Sequence, residues 1–573
     1  MDPVRSKKLV SADPPPAGRT PNGVEQFTAE LAKAGFEGEL DSSESVLDFY
    51  SHDASLFELR PKLVVFPENL ADLSRLVLAV NQCRPNVPDL SLTARSAGTC
   101  MSGGAIGQSV VVDFTKHMNA VEKVDGLSAQ TQPGVLYRDF EKATLARGGL
   151  LPTFPASREL AAMGGMVANN AGGEKSLQYG KTEDFVTQLD VVLSDGKEYT
   201  LKPLSREELD YKRRQKDFES QIYAKMFDLL EKNYDLIKSA KPKVSKNSTG
   251  YNLWDVWNRQ NGVFDLTKLF VGSQGTLGLI GDIRFRLIHD KPHSGVLTVF
   301  MKDISNLGEI INKVMEDKPA SFEAFDNYTL KLAIKFFPYF RKTLGWGGLV
   351  RLGLQLLPDA LILFRGIPKM VLLVEFTGQT PEEVAQKVHA LRQKLQPYKL
   401  EAMEEDATEA KAWKFRIMRR ESFNLLRSKV HDKHTAPFID DLVVKPEYLV
   451  EFLPKLQAII KKYSLLATIA GHMGDGNFHV IPLMKIEDPA ERAKLEPAMH
   501  EVNQLVLSYK GSLSGEHNDG MIRGPWLEAM YGKEVLELFR QTKRIFDPGN
   551  IFNPHKKTDA TWEFSMSHIR ERF

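Results

Sequence analysis

Two histidines flank a short turn near the C-terminal end of the chain. The stretch AGHMGDGNFHVIP places His472 and His479 around a glycine-rich turn, and the stretch GEH follows at residues 515–517. Neutral imidazole is a good ligand for a divalent metal ion, and Glu516 would add a hard oxygen donor. The same side chains could instead be polar loop residues with local hydrogen bonds. These residue types therefore leave two interpretations open, a metal site and a polar turn.

Three glycine-rich loops in the first half of the chain could hold a cofactor. They read ARSAGTCMSGGA, AAMGGMVANNAGG and LFVGSQGTLGLI, and each also carries serine, threonine or asparagine. Glycine lets the backbone approach a ligand closely, and successive loop N–H groups can bind phosphate. None of the loops is a GxGxxG motif that opens a long helix, which disfavours a Rossmann site. Each could be only a tight turn, but three together favour a long phosphate-bearing cofactor lying across them.

The elements that must position these residues alternate between short strands and helices. The stretch KLVVFPENLADLSRLVLAVNQC predicts a strand, a turn and an amphipathic helix, and FVTQLDVVLSDGKEYTL predicts a hairpin that turns at Asp195-Gly196. The first and third glycine loops are each predicted between two strands, and the second is predicted as a loop of small residues. From about Pro292, two strand–helix units, SGVLTVFMKDISNLGEIINKVMED and MVLLVEFTGQTPEEVAQKVHALRQKL, predict an α+β second domain.

Length and composition set the broad class of the protein. A chain of 573 residues is too long for one core, so two or three domains are expected. The net charge of +1 gives no global attraction to nucleic acid, and two cysteines, Cys83 and Cys100, provide no disulfide framework or metal cluster. The N-terminal stretch lacks the apolar core of a signal peptide, and no uncharged apolar run approaches the ~20 residues of a transmembrane helix.

The motifs together resemble one family. ARSAGTCMSGGA, AAMGGMVANNAGGEKSLQYGKTEDFV, NSTGYNLWDV and LFVGSQGTLGLI are similar to the flavin-binding segments of the vanillyl-alcohol-oxidase-type FAD family. GHMGDGNFHV, GSLSGEHNDG and DPGNIFNP resemble its D-lactate, glycolate and D-2-hydroxyglutarate dehydrogenase branch. The resemblance runs from Leu59 to Pro554. It implies an α+β fold, with a two-lobed FAD-binding domain and an α+β substrate domain that caps the flavin.

The resemblance also implies domain bounds and cofactor contacts. The expected divisions are a tail and leading helix at 1–45, an FAD-binding domain at 46–290, a substrate or cap domain at 291–555, and a C-terminal tail at 556–573. Some relatives attach FAD covalently through a histidine four residues after an arginine, and here Thr99 occupies that position, so we expect non-covalent FAD. The residues expected to contact FAD are Ser96, Ala97, Gly98, Thr99, Cys100, Met101, Ser102, Gly164, Gly165, Asn169, Ala171, Gly172, Gly272, Gly275, Thr276 and Gly278.

The same resemblance implies a catalytic centre. His472, His479 and Glu516 are expected to bind one divalent metal, zinc or manganese, and His517 to act as the general base on a 2-hydroxy acid. Arginine grips carboxylates well. Relatives place an arginine a few residues after a tryptophan, and this pattern indicates Arg416, with Arg420 one turn further, as the substrate-carboxylate ligands. The alternative for this basic stretch is a solvated helix face.

Two departures from the D-2-hydroxyglutarate branch indicate the substrate. That branch has a lysine where this chain has Ile439, and an asparagine where it has Ile481. Both changes remove polar groups, which favours a smaller D-2-hydroxy acid, with D-lactate first. The alternatives are D-2-hydroxyglutarate or glycolate oxidation, and an alkyl-glycerone-phosphate synthase-like reaction, although that branch's histidine run is absent. A flavin-binding scaffold without turnover is disfavoured by the intact set of histidines and glutamate.

The segment Leu330–Lys369 has no obvious place in the family pattern. It combines seven cations with one acid among leucines and aromatic residues, as an interfacial membrane helix does. We expect peripheral contact with an anionic membrane, on the cytoplasmic inner face of the cell membrane, and electron transfer to a quinone or an electron-transfer protein. The alternative is a buried helical hairpin or a dimer contact. No nucleic-acid partner is expected.

Overall fold

The computed structural model describes residues 23–327, 367–398, 400–406 and 433–571, with the single residues 331 and 347. The α-helices are Gly23–Lys33 (α1), Glu44–Tyr50 (α2), Leu70–Cys83 (α3), Tyr137–Leu145 (α4), Met163–Asn169 (α5), Ser176–Tyr179 (α6), Arg206–Arg213 (α7), Phe218–Lys232 (α8), Tyr234–Ala240 (α9), Thr267–Phe270 (α10), Leu307–Glu316 (α11), Pro381–Leu395 (α12), Leu449–Lys462 (α13), Pro489–Arg492 (α14), Leu495–Ser508 (α15), Leu527–Phe546 (α16) and Trp562–Ser567 (α17).

The strands are Glu39–Asp41 (β1), Leu63–Phe66 (β2), Leu92–Arg95 (β3), Val110–Asp113 (β4), Val121–Asp125 (β5), Ser128–Thr131 (β6), Gly149–Leu150 (β7), Val186–Val192 (β8), Glu198–Leu201 (β9), Trp257–Asn258 (β10), Val263–Phe264 (β11), Leu279–Arg286 (β12), Ile288–His289 (β13), His293–Met301 (β14), Ser321–Asp326 (β15), Met370–Gly378 (β16), Ala402–Asp406 (β17), His434–Thr435 (β18), Leu442–Val443 (β19), Leu466–His472 (β20) and Asn477–Met484 (β21).

The first lobe is a four-stranded sheet in the order β1-β2-β4-β3, in which β2, β4 and β3 are parallel. Helix α3 begins after Asn69, whose side chain accepts a hydrogen bond from the Asp72 N–H, and buries its apolar face against the sheet. The predicted strand and amphipathic helix over this stretch are confirmed. The first glycine loop joins β3 to β4, as predicted, and so lies at one end of the parallel strands.

The second lobe is a five-stranded antiparallel sheet in the order β5-β6-β12-β8-β9. Its β8–β9 hairpin turns at Asp195-Gly196 as predicted, with Gly196 at a φ of +77°. Helices α4, α5 and α8 contribute to one large core with this sheet. The predicted pair of lobes is therefore present.

The cap domain is a large antiparallel sheet in the order β17-β14-β16-β15-β20-β21-β18, with β19 beside β21. Both predicted strand–helix units are confirmed, as β14–α11 and β16–α12. Strands β14 and β16 pair from His293↔Gly378 to Met301↔Met370, and α12 begins after the capping residue Thr380. Helices α11, α12, α13 and α15 supply apolar side chains to one core with this sheet.

Two predicted elements are wrong in detail. The strand expected before the third glycine loop is the helix α10, because Asp265 accepts hydrogen bonds from the N–H and hydroxyl of Thr267 and starts a helical turn. The second loop is partly the helix α5, which contains Gly164 and Gly165. A side chain at Gly164 would meet Pro133 at 2.6 Å, so close packing explains the glycine there better than a turn does.

The predicted membrane-interface segment, 330–369, lies outside the described residues apart from residues 331, 347 and 367–369. Within the part of the chain that the structure describes, no helix has the length and apolarity to cross a bilayer.

The turn between β20 and β21 depends on Gly476, which has a φ of +64°. A Cβ atom there would overlap the carbonyl oxygen of Val444. We expect Gly476→Ala to lower the free energy of unfolding by more than the roughly 1–2 kcal/mol that a left-handed backbone alone costs a residue with a Cβ. Urea unfolding of purified protein measures this.

Gly35→Ala is the matched control, because Gly35 has a φ of +72° and no atom within 4 Å of the added Cβ. Equal losses of stability in the two variants would contradict the steric explanation.

Candidate active site

The β20–β21 hairpin places two histidines on one face. Ala470 pairs with His479, and His472 pairs with Asn477, so alternation along the strands puts both imidazoles on the same side. The segment 514–517 approaches this face from the connection between α15 and α16. It brings Glu516 to the imidazoles. His472 and Glu516, which lie 44 positions apart in sequence, therefore belong to one cluster.

The ring nitrogens of three histidines face one carboxylate oxygen. Glu516 Oε1 lies 3.4 Å from His472 Nε2, 3.2 Å from His479 Nε2 and 4.0 Å from His517 Nε2. The rings of His479 and His517 are stacked with their centroids 5.0 Å apart. One ligand atom each from His472, His479 and Glu516 lies within 4.8 Å of the others. The structure thus brings the predicted metal ligands and the predicted base together.

Buried carboxylates hold the opposite nitrogen of each ring. Glu323 on β15 is the cross-strand neighbour of His472 and lies 2.5 Å from its Nδ1. Asp440 lies 3.2 Å from His479 Nδ1 and 2.6 Å from His517 Nδ1. A carboxylate only accepts, so each Nδ1 carries the hydrogen and each Nε2 faces the site. Metal-binding histidines are commonly oriented in this way.

Asp441 fixes the backbone of the same segment. Its Oδ2 accepts hydrogen bonds from the N–H groups of Glu516 at 2.9 Å and His517 at 2.7 Å, and from the hydroxyl of Ser514 at 2.5 Å. Its Oδ1 accepts from the Asn477 amide at 2.9 Å. One carboxylate therefore joins the hairpin to the segment that carries the glutamate and the third histidine.

A buried lysine contacts the other side of Glu516. Lys246 is 1% exposed, and its Nζ lies 3.1 Å from Asp475 Oδ2 and 3.5 Å from Glu516 Oε2. Burial opposes ionisation of Glu516, but Lys246 and His472 outweigh it and hold the pKa of this carboxyl well below its usual value. Glu516 is therefore an anion with one oxygen toward the histidines and one toward the lysine.

The buried charged groups of the cluster do not balance one another. Within the described part of the chain, five buried carboxylates and three buried cations act on one another here: Glu323, Asp440, Asp441, Asp475 and Glu516, against Lys181, Lys246 and Arg523. If every carboxylate is ionised and the histidines are neutral, two negative charges remain.

Protons can supply that missing charge. Burial opposes a charge on His479, but hydrogen bonds to Asp440 and Glu516 prevail and raise its pKa to about 10. Burial likewise opposes a charge on His517, and the nearby Asp440 and Asp441 raise its pKa. A divalent cation would satisfy the same deficit, and two imidazoles with one carboxylate are a ligand set that zinc accepts, with positions left for a substrate. The residues present therefore fit a divalent metal.

The first glycine loop offers a row of backbone donors. The N–H groups of residues 97–101 have no hydrogen-bond acceptor among the residues that the structure describes. Gly98, within that row, and Gly103, shortly after it, turn the chain with φ values of +68° and +81°. Successive backbone donors of this kind bind phosphate oxygens. The loop therefore fits the pyrophosphate of a dinucleotide such as FAD.

Gln274, which the sequence analysis missed, joins the three glycine loops. Its Nε2 donates to Ser102 Oγ and to Asn169 Oδ1, both at 3.1 Å, and its Oε1 accepts from the Gly520 N–H at 2.8 Å. Its backbone has a φ of +52°. The first, second and third loops thus meet at one polar side chain.

The predicted cofactor residues fall into two groups. Most belong to the loops that meet at Gln274. The second of these loops adjoins the histidine cluster, because a Cβ on Gly172 would lie 3.2 Å from Glu516 Oε2. Thr276 and Gly278 instead contact the second lobe: Thr276 Oγ1 lies 2.7 Å from the Tyr251 hydroxyl, and Gly278 packs against Phe270. The predicted substrate ligands Arg416 and Arg420 lie outside the described residues.

Several residues of the cluster were not found from the sequence. Asp440 and Asp441 directly follow Ile439, which the sequence indicated as a departure from the D-2-hydroxyglutarate branch. Two adjacent aspartates after an apolar stretch were the pattern that could have indicated a buried site. Lys246 and Glu323 gave no local signal, because their roles depend on contacts with segments far away in the chain.

The fold and the site define a two-domain flavoprotein, and comparison with known proteins agrees. Residues 61–202 match the family model described as FAD binding domain, and residues 291–557 match FAD linked oxidases, C-terminal domain. The chain therefore belongs to the FAD-linked oxidases, and its fold is that of the vanillyl-alcohol-oxidase type. The predicted α+β fold, with a two-lobed FAD-binding domain and a cap domain, is confirmed.

Individual relatives are distant. The chain is 27% identical to the D-2-hydroxyglutarate dehydrogenase of Pseudomonas putida over 93% of this chain and 51% of that protein. It is 28% identical to glycolate oxidase subunit GlcD of Bacillus subtilis over 88% and 91% of the two chains. The chain spans about half the length of the D-2-hydroxyglutarate dehydrogenases that it matches first.

Solved structures share the fold. The 4-ethylphenol oxidase of Gulosibacter chungangensis superposes with a TM-score of 0.65 at 14% identity, over 96% of this chain and 99% of that one. An alkyldihydroxyacetonephosphate synthase gives 0.63 at 16% identity, over 92% and 84%.

Asp440 should control metal affinity without being one of the three predicted ligands. We expect Asp440→Asn to weaken zinc or manganese binding by about 10- to 100-fold, because the amide no longer holds His479 and His517 in one orientation with an anionic acceptor. Titration with a competing chelator, with metal content measured in the protein fraction, tests this.

The control is Asp125→Asn, an exposed carboxylate of the second lobe. Identical metal affinity in wild type and Asp440→Asn would show that the carboxylate only supports the fold.

Proposed function

We propose that the protein is an FAD-dependent dehydrogenase that oxidises a D-2-hydroxy acid, with D-lactate as the leading substrate, to the 2-oxo acid. The observation that carries the proposal is the convergence of three Nε2 atoms on Glu516 Oε1, beside the second glycine loop. Relatives named D-2-hydroxyglutarate dehydrogenase and glycolate oxidase subunit support this class of reaction.

His472, His479 and Glu516 would hold the divalent metal. A bound metal supplies a Lewis acid that lowers the pKa of the substrate hydroxyl, and FAD supplies an acceptor for the C2 hydride. Glu323 and Asp440 keep the imidazole Nε2 atoms directed inward. Lys246 holds the second oxygen of Glu516, which leaves the first for the ligand side.

His517 is the proposed general base. Its Nδ1 is engaged by Asp440 at 2.6 Å, so its Nε2 is the atom that can accept the hydroxyl proton. The pKa of His517 is raised by Asp440 and Asp441 against the effect of burial, which strengthens it as a proton acceptor. His517 would be neutral before substrate binds if Glu516 held a divalent cation, because a nearby positive charge lowers the pKa of an imidazole.

Two apolar side chains support a small substrate. Ile481 lies two residues after His479 on β21 and therefore shares its face of the strand. Ile439 directly precedes Asp440, and both isoleucines are buried. Neither can compensate a second carboxylate, which would cost several kcal/mol to bury unpaired. D-2-hydroxyglutarate carries such a group, and it remains the second candidate because the relatives' names favour it.

Arg416, Arg420 and most of 330–369 lie outside the described residues, and each has a proposed role. Arg416 and Arg420 would bind the substrate carboxylate, and 330–369 would contact an anionic membrane at the inner face, where a quinone or an electron-transfer protein would reoxidise the cofactor.

With Thr99 in place of the histidine that some relatives use, FAD would be bound without a covalent link. Acid precipitation should then release all the flavin into the supernatant.

Anaerobic reduction of bound flavin tests the substrate. We expect D-lactate to bleach the flavin absorbance much faster than D-2-hydroxyglutarate does at equal concentration, because the isoleucines offer no partner for a second carboxylate. Stopped-flow spectrophotometry of metal-loaded protein measures both rates. L-lactate is the stereochemical control and should leave the flavin oxidised. Faster bleaching by D-2-hydroxyglutarate would replace D-lactate with the second candidate.

His517→Asn tests the base. We expect flavin reduction to slow by roughly two to four orders of magnitude, the usual contribution of a general base, while FAD and metal content stay unchanged. His500→Asn is a matched control, because His500 lies on α15 against Trp526 and outside the cluster. A wild-type reduction rate in His517→Asn would remove this residue from the mechanism.

A further inference from the structure

Lys556 is a buried cation with no carboxylate oxygen within 4.0 Å of its Nζ among the described residues. Its side chain is 2% exposed, and its Nζ has only the Pro554 carbonyl oxygen at 3.5 Å as an acceptor among the described residues. Other buried lysines have closer partners: Lys246 with Asp475 at 3.1 Å, Lys543 with Asp547 at 2.6 Å, Lys557 with Asp519 at 2.7 Å, and Lys181 with three oxygens at 2.6–3.0 Å.

The position of Lys556 is next to the first glycine loop. The groups that act on its charge are the Asp53 carboxyl and the Cys100 thiol of that loop. The adjoining Asn553 ties this C-terminal stretch to the loops, since its amide donates to the carbonyl oxygens of Gly104 at 2.8 Å and Gln274 at 2.7 Å. The lysine is therefore carried by a segment that is fixed against the cofactor loops.

Burying an ammonium group without a close counter-ion is costly. Burial lowers the pKa of Lys556 to about 8. The row of N–H groups at residues 97–101 also lacks acceptors among the described residues. An anion at the loop would compensate both features, and a pyrophosphate carries two negative charges with several acceptor oxygens.

We propose that Lys556 binds the pyrophosphate of FAD and completes an anion site with the backbone donors of the first glycine loop. The inference depends on FAD as the cofactor, and it is independent of which hydroxy acid is oxidised. Lysine is suited to this role because it acts as a point charge toward phosphate.

The test compares two flavins that differ in the phosphates. Purified holoprotein is stripped of flavin and titrated with FAD or riboflavin, with quenching of flavin fluorescence as the readout. We expect Lys556→Met to weaken FAD binding by about 10- to 100-fold and to leave riboflavin binding unchanged, because only FAD carries the pyrophosphate. Lys556→Arg, which keeps the charge, should retain most of the FAD affinity. Lys62→Met, an exposed lysine of the first lobe, is the control.

Stability separates this role from a structural one. We expect flavin-free Lys556→Met to melt at the wild-type temperature or higher, since an uncompensated buried charge is removed. Flavin-free Lys557→Met should melt lower, because it leaves Asp519 buried and unpaired.

An unchanged ratio of FAD to riboflavin affinity in Lys556→Met would overturn the proposal, as would an equal loss for both flavins. If that variant cannot be stripped and refilled, the same ratio measured for Lys556→Gln decides. Failure of the wild-type protein to bind FAD at all would instead contradict the proposed function.

Discussion

The candidate site depends on two adjacent buried aspartates. Asp441 binds the backbone of the segment that carries Glu516 and His517, while Asp440 binds the rings of His479 and His517. Arg523 also contacts the pair, because its guanidinium donates a hydrogen bond to the Asp440 carbonyl oxygen at 2.8 Å. Without these carboxylates, the hairpin of His472 and His479 would lose the hydrogen bonds that join it to the segment of Glu516 and His517, so the geometry of the cluster depends on this pair.

The same carboxylates make the site electrically incomplete. Protons on His479 and His517, or one divalent ion, can supply the two missing positive charges. A proton and a metal ion cannot occupy the same imidazole nitrogen at the same time. Binding of a divalent metal would therefore release protons, as it generally does when the ligands are protonated. Lys181, Lys246 and Arg523 balance the three negative charges that remain in either state.

Local patterns in the sequence predicted most elements but only part of the site. The β2–α3, β14–α11 and β16–α12 units, the β8–β9 hairpin and the first glycine loop were predictable because each follows from adjacent residues. The predicted ligands His472, His479 and Glu516 came from motifs. Asp440, Lys246 and Gln274 were not found, because a buried polar residue acquires its role from partners that only the tertiary fold brings close. Gln274, for example, meets Ser102 and Gly520 across more than 170 positions.

The segment that carries the proposed base is attached to the cofactor loops as well as to the cap. Ser102 Oγ donates to the His517 carbonyl oxygen at 3.1 Å, and the Asn518 amide donates to the carbonyl oxygens of Asn169 at 3.2 Å and Gly272 at 2.9 Å. Hydride and proton transfer both need reacting atoms held within fractions of an ångström. Ser102 contacts His517 itself and Asn518 contacts the other two loops, so the segment that carries the proposed base is held against all three loops. The position of the proposed base relative to the cofactor loops therefore depends on one segment, which Asp440 and Asp441 also hold to the cap.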